Sequence, residues 1–171
     1  GFSEQNLVDC CHEGCAGCSG GLMTQAYKYL IAQQGGHFNF ESDYQYTALE
    51  GTCLFTKYAQ VGSISKYVNI AKGDEDDLAA KIETYGPVAV AIDASHVSLQ
   101  QYSSGIYDEP DCSPANLNHG VGCVGFGSQD GVKYWIVRNS WGKEWGENGY
   151  VKMIWKNNQC GIASRATLPL V

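Results

Sequence analysis

The stretch Asn139-Ser140-Trp141-Gly142-Lys143-Glu144-Trp145-Gly146-Glu147-Asn148-Gly149-Tyr150 sets two tryptophans and several glycines in one short run. It follows Tyr134-Trp135-Ile136-Val137-Arg138, which reads as a strand. Glycine at this density marks tight turns and close backbone approach, so the run is a loop. Upstream, Asn118-His119-Gly120-Val121 places a histidine at the start of a second apolar strand, His119 to Phe126. A histidine there is a catalytic group, a ligand or a satisfied buried polar residue, and position alone leaves all three open. Asn139 narrows the choice. A carboxamide at the end of a strand is suited to accept a hydrogen bond from an imidazole N–H, which fixes the ring's tautomer and orientation. Trp141 is then placed to cover that bond and exclude water, which strengthens it. The pair is the orienting half of a Cys-His-Asn arrangement.

The rest of the chain is compatible with an enzyme built around this pair. Its 171 residues suffice for one large domain or two small ones. The composition is globular, with 44% hydrophobic and 17% charged residues. A net charge of −7 argues against nucleic acid and anionic membrane as partners. No apolar run approaches the roughly 18 residues a membrane span needs.

Local patterns predict the elements. Ser3 is a candidate N-cap for a short helix through Leu7-Val8, with Asn6 a weak match to a capping box. The Cys/Gly stretch from Cys10 to Gly21 reads as loop. Leu22, Ala26, Tyr29 and Leu30 recur at helical spacing, and Gly35-Gly36 stop that helix. Residues 37–66 carry aromatic side chains without a clear period and read as extended loop. Tyr67-Val68-Asn69-Ile70 has the period of a strand. Asp74 to Tyr85 reads as a helix with acidic residues crowding its first turn, which suits the helix dipole, and Gly86-Pro87 end it. Strands follow at Val88 to Ile92, His119 to Phe126, Tyr134 to Arg138 and Tyr150 to Trp155. The composition shifts near residue 66, dividing a helical, cysteine-rich part (1–66) from a β-rich part (67–171).

The eight cysteines point to disulfides or to metal. Cys11-x3-Cys15-x2-Cys18, with His12 among them, has the spacing of an iron–sulfur or zinc ligand set, a weak signal. Cys123 lies in an apolar strand and reads as a small buried hydrophobe.

Five motifs in one order now carry a resemblance. They are Ser3-Glu4-Gln5-Asn6-Leu7-Val8-Asp9-Cys10, Gly17-Cys18-x-Gly20-Gly21-Leu22-Met23, Gly86-Pro87-x-x-Val90-Ala91-Ile92-Asp93-Ala94, the Asn139–Tyr150 loop, and Cys160-Gly161-Ile162-Ala163. Together they resemble papain-like cysteine peptidases of the cathepsin L type over nearly the whole chain. The resemblance implies an α+β, papain-like fold, with an incomplete helical left domain, a β-barrel-like right domain and the active-site cleft between them. It implies His119 as general acid and base, Asn139 as its orienting partner and Trp141 as support. It also implies disulfides Cys10–Cys53 and Cys112–Cys160. Cys18 pairs in the family with a cysteine near the nucleophile and is expected to be left without that partner here. Cys11 and Cys15 depart from the family pattern and pair either with each other or with Cys18.

No Cys-Gly-Ser-Cys-Trp-type motif is present. The family's His and Asn lie roughly 130–150 residues after the nucleophile, which places it and the oxyanion-hole glutamine upstream of Gly1. The fragment alone is therefore expected to be inactive. The resemblance assigns Gly20 and Gly21 to main-chain binding of an extended peptide, and the carbonyl of Asn118 to the residue before the scissile bond. Leu22, Met23, Ala91, Leu117, Gly120 and Arg165 are assigned to the S2 pocket, and Trp145 to the leaving-group side. The apolar S2 set predicts a bulky hydrophobic preference. Arg165 departs from the small residue expected there; it either turns to solvent or admits an acidic side chain. The implied activity is endopeptidase hydrolysis through a thiol acyl-enzyme, with no cofactor and no metal. Implied partners are peptide or protein substrates, a propeptide and protein inhibitors, acting on a monomer in a lysosomal, vesicular or secreted setting. The alternative is an inactive or Ser-substituted homologue that binds peptides or serves a structural role.

Overall fold

A computed structural model describes residues Gly1–Val171. The chain divides into two compact units, Gly1–Val68 with Pro169–Val171, and Asn69–Leu168. Its architecture is α+β.

In the first unit, helix α1 spans Glu4–Cys10 and α2 spans Met23–Gln33. Ser3 caps α1 as expected, its Oγ accepting from the Asn6 N–H at 3.0 Å. The capping box stays half-made, because the Asn6 amide turns away from Ser3 and donates to Asn39 Oδ1 at 3.1 Å. Helix α2 ends where Gln34 N–H and Gly36 N–H both reach Leu30 C=O, and Gly35 and Gly36 take positive φ. The aperiodic segment after it is ordered by side chains rather than by a ladder. Asp9, buried in α1, accepts from Tyr44 Oη, Gly51 N–H and Gln5 Nε2 at 2.6, 2.7 and 2.7 Å. Burial, and next to it the bond to Asp9, push the Tyr44 phenol up to about 12. Asn39, fully buried, donates to the carbonyls of Phe55 and Ala59. The loop's hydrogen bonds are thus closed by α1 and by its own carboxamides.

The second unit is dominated by strands. Strand β1 (Lys66–Asn69) crosses the boundary between the units, followed by helix α3 (Glu75–Tyr85), strand β2 (Val88–Ile92) and a short α4 (Val97–Gln100). Strands β3 (Ile106–Tyr107), β4 (His119–Gln129), β5 (Val132–Arg138), β6 (Tyr150–Ile154) and β7 (Ala166–Leu170) complete the seven. They form one sheet in the order β1-β7-β2-β4-β5-β6-β3. Asp74 is the N-cap of α3 rather than part of its first turn, its carboxylate accepting from the Asp77 N–H at 2.9 Å. The core holds Leu78, Val90, Trp135, Val137, Met153 and Leu168, all essentially inaccessible to water. Trp135 stacks on Trp155 with ring centroids 4.3 Å apart, and its indole N–H donates to Glu75 of α3 at 3.0 Å. The short strand β3, the helix α4 and strand β7 were not predicted, because each is too short or too mixed in pattern to show a period.

Candidate active site

Antiparallel pairing of β2 with β4 sets Ile92 opposite His119 and Ala91 opposite Gly120. Pairing of β4 with β5 sets Gly122 opposite Arg138, so Asn139 leaves β5 beside the start of β4. The two side chains meet there. His119 Nε2 lies 2.8 Å from Asn139 Oδ1. The Ser140 N–H also donates to Asn139 Oδ1, at 2.8 Å. A backbone N–H can only donate, so the shared atom is the carboxamide oxygen and His119 Nε2 carries the proton. Nδ1 is then the nitrogen left to exchange a proton with a reacting group. Both side chains are half-buried. The Trp141 indole stacks on the imidazole, with centroids 5.1 Å apart and planes inclined by 27°. The predicted trio of His119, Asn139 and Trp141 is brought together.

The loop that carries Asn139 and Trp141 is braced from below. Asn139 N–H donates to Gly149 C=O and Gly149 N–H to Trp145 C=O. Gly149 has φ +89°, and a Cβ there would meet Gly142 C=O at 3.1 Å. Trp145 packs edge-on against Trp141, 5.2 Å between centroids, and its indole N–H donates to the Leu99 and Gln100 carbonyls at 3.1 Å each. Glu147 accepts from the Gly105 N–H and Tyr102 Oη and pairs with Lys152 at 3.2 Å. Burial alone raises the Glu147 carboxyl, but these donors and the Lys152 ammonium hold it below its ordinary value. Sequence reasoning missed Glu147 and Tyr102 as supports; an acid and a phenol far apart in sequence leave no local signal.

The segment before His119 is fixed in the same manner. Asn118 N–H donates to Ile92 C=O at 3.0 Å, and its side chain accepts from the Ala94 N–H at 2.9 Å. Leu117 rests on Gly161, where a Cβ would come within 2.5 Å of Leu117 Cδ2. Gly120 and Ala91 are register partners, and Arg165 immediately precedes Ala166, which pairs with Val90. Ala91 and Gly120 thus face each other across β2 and β4, while Leu117 lies two residues before β4 and Arg165 one residue before β7. Arg165 is exposed and makes no ion pair, which answers its desolvation cost. In the first unit, Gly20, Gly21 and Leu22 are exposed ahead of α2, and Met23 opens that helix half-buried.

The cysteines resolve as three disulfides, Cys10–Cys53, Cys112–Cys160 and Cys11–Cys15. The first two match the pairing the resemblance implies. The third settles the open choice for Cys11 and Cys15, and it removes two thiolates from the metal-ligand spacing. Cys112 lies with Asp93 and His96 in a possible ligand group, but its sulfur is likewise committed to a disulfide. Cys18 is an exposed free thiol. Cys123 is buried, and burial pushes its thiol up to about 12, so it is inert at neutral pH.

The family model for papain family cysteine protease matches residues 1–170. Cathepsin L of Sarcophaga peregrina is 47% identical over 173 residues, covering 99% of this chain and 50% of that protein. Human cathepsin L2 is 46% identical over 99% of this chain and 52% of its own length. Among solved structures, digestive procathepsin L 3 from the larval midgut of Tenebrio molitor superposes with a TM-score of 0.93 at 43% identity. That match covers 99% of this chain and 55% of the other, so the chain spans about half the length of the relatives it matches. With the fold, the His119–Asn139 pair and these likenesses in agreement, the chain belongs to the papain family of cysteine proteases.

Proposed function

We propose that the complete protein is an endopeptidase that cleaves peptide bonds through a thiol acyl-enzyme, with His119 as its proton carrier. The 2.8 Å bond between His119 Nε2 and Asn139 Oδ1 carries this reading, because it leaves Nδ1 as the working nitrogen. The nucleophile is a cysteine of the family's Cys-Gly-Ser-Cys-Trp type, outside the sequence described here. Six of the eight cysteines present are oxidised, Cys123 is buried with a raised pKa, and the exposed Cys18 stands where the resemblance implies a disulfide cysteine.

The steps follow from the acid–base chemistry of that pair. Imidazolium at His119 stabilises the thiolate, which attacks the peptide carbonyl carbon. Nδ1 gives its proton to the departing amine, and the C–N bond breaks to leave a thioester. Nδ1 then takes a proton from water, whose oxygen attacks the thioester and frees the acid and the thiol. Asn139 accepts from Nε2–H throughout and keeps the ring aimed, while Trp141 limits water at that bond.

Substrate recognition rests on two groups of residues. Gly20 and Gly21 bind the peptide main chain, and Leu22 and Met23 adjoin them. Ala91, Leu117, Asn118, Gly120 and Arg165 form the group beside His119, with Trp145 toward the leaving side. The apolar members favour a bulky hydrophobic residue at P2, and Arg165, exposed and without an ion pair, is free to turn inward and meet an acidic one. Three disulfides in a chain of this size fit an oxidising compartment, vesicular or secreted.

A peptide-library digest by the full-length protein tests the proposal. Cleavage is expected to stop on thiol alkylation and to fall about 10²–10⁴-fold in His119→Ala. Replacing Arg165 by Ala is expected to abolish cleavage of peptides with an acidic P2 residue and to spare those with a hydrophobic one. Hydrolysis that survives alkylation points to a serine nucleophile, and peptide binding without hydrolysis points to an inactive homologue.

A further inference from the structure

The Cys11–Cys15 disulfide departs from the family pattern, and its surroundings give it a task. Cys11 is the C-cap of α1, its N–H bonded to Leu7 C=O, and its side chain is fully buried. Its neighbour Cys10 is bonded to Cys53. One end of the Cys11–Cys15 link is therefore anchored in the rigid part of the first unit. The other end carries a strand pair. Cys15 forms an antiparallel bridge with Gly21, and the Ala16 N–H donates to Gly20 C=O at 2.7 Å. Gly21 lies flat against the disulfide: a Cβ there would come within 3.2 Å of Cys15 Cα and Cβ and 3.4 Å of its Sγ. On the side where a Cβ of Gly20 would project there is open space, and both glycines are exposed. The glycine backbone is thus backed by a covalent loop on one side and free on the other.

We propose that the Cys11–Cys15 disulfide is a positioning element for substrate binding: it holds the Gly20–Gly21 main chain extended, ready to add a peptide strand. The inference rests on the assignment of Gly20 and Gly21 to peptide binding made above. The link closes a loop of sequence separation 4, and short loops constrain the unfolded chain least. Its effect is therefore local order at Cys15–Gly21 rather than global stability. Preorganised backbone costs less to immobilise on binding, so the effect falls on substrate affinity. Oxidation state then sets affinity: reduction of this link frees Gly20–Gly21 while the His119 machinery, which it does not touch, keeps its rate.

The test uses the full-length protein and its Cys11→Ser/Cys15→Ser variant, with Cys11→Ala/Cys15→Ala as a second pair. KM for a peptide of several residues is expected to rise about three- to tenfold, the loss of roughly one backbone hydrogen bond, with kcat unchanged. A minimal substrate with one residue before the cleaved bond is expected to show no change. Amide exchange of Ala16, whose N–H is held by Gly20 C=O, is expected to quicken in both variants. An unchanged KM with unchanged Ala16 exchange overturns the proposal. So does failure of both variants to fold, because the link would then be a global staple. If the parent protein hydrolyses nothing, the peptidase reading fails, and the Ala16 exchange alone still decides whether the disulfide orders the glycines.

Discussion

At the scale of single residues, the site depends on one oxygen. Asn139 Oδ1 receives both the imidazole Nε2–H and the Ser140 N–H, so the ring has one tautomer and one direction. Asn139→Ala is expected to lower kcat by about tenfold or more with KM little affected, read from steady-state kinetics, because it removes orientation and not binding. A second residue with a sharp expectation is Asp93, buried at the end of β2. Burial pushes its carboxyl up, but Ser95 Oγ and the N–H groups of Ser113 and Ser95 outweigh that, with help from His96, and hold it below the ordinary value. A carboxyl whose folded pKa lies below its unfolded one stabilises the fold above the unfolded value. It loses that contribution as pH falls through the folded value. Asp93→Asn is therefore expected to cost about 2–3 kcal/mol at pH 6, and the gap to the parent is expected to close below about pH 4. Urea melts across pH check this. The pairing of His119 with Asn139 was legible in sequence because each ends or starts an apolar strand. The full donor set of Asp93 gave no signal: Ser95 is a local partner, but the Ser113 N–H arrives from a loop 20 residues away.

At the scale of elements, the Asn139–Tyr150 loop is the part whose form matters most. Its glycines were legible as turns, and the φ of +89° at Gly149 with Gly142 C=O at 3.1 Å from a Cβ gives the reason. Gly149→Ala is expected to destabilise by about 1–3 kcal/mol and to weaken the hydrogen bond from Asn139 N–H to Gly149 C=O. Thermal melting and the loss of kcat together check it. The brace from Glu147 to Gly105, Tyr102 and Lys152 was not legible, because it joins the Asn139–Tyr150 loop to β6 and to a loop before β3, and β3 has only two residues. The same reason hid β7. Its alternation is broken by Pro169, and it is recognised as a strand only through its partners β1 and β2. The aperiodic stretch 37–66 is loop apart from a 3-10 turn at Phe55–Lys57 and Lys66, which opens β1; what orders it, buried Asp9 and Asn39, is a long-range hydrogen-bond network that no local period encodes.

At the scale of the molecule, each unit carries its own covalent reinforcement. Cys10–Cys53 closes a loop of separation 43 in the first, and Cys112–Cys160 one of separation 48 in the second. Loops of that length constrain the unfolded chain strongly, so Cys112→Ala/Cys160→Ala is expected to lose about 2–5 kcal/mol, measured by denaturant unfolding. That loss is far larger than any expected from Cys11–Cys15. The family's order of motifs made the fold legible before any coordinates, because five separate segments agreed in sequence order. The central claim is that His119 serves a thiol. The rate at which the full-length protein is alkylated by iodoacetamide, followed from pH 4 to pH 9 in parent and His119→Ala, tests it most directly. A thiolate–imidazolium pair predicts rapid labelling of one cysteine well below pH 7 in the parent, shifting toward the ordinary thiol range near pH 8.5 in the variant. Labelling curves that coincide in the two proteins, or that rise only near pH 8.5 in both, would contradict the account.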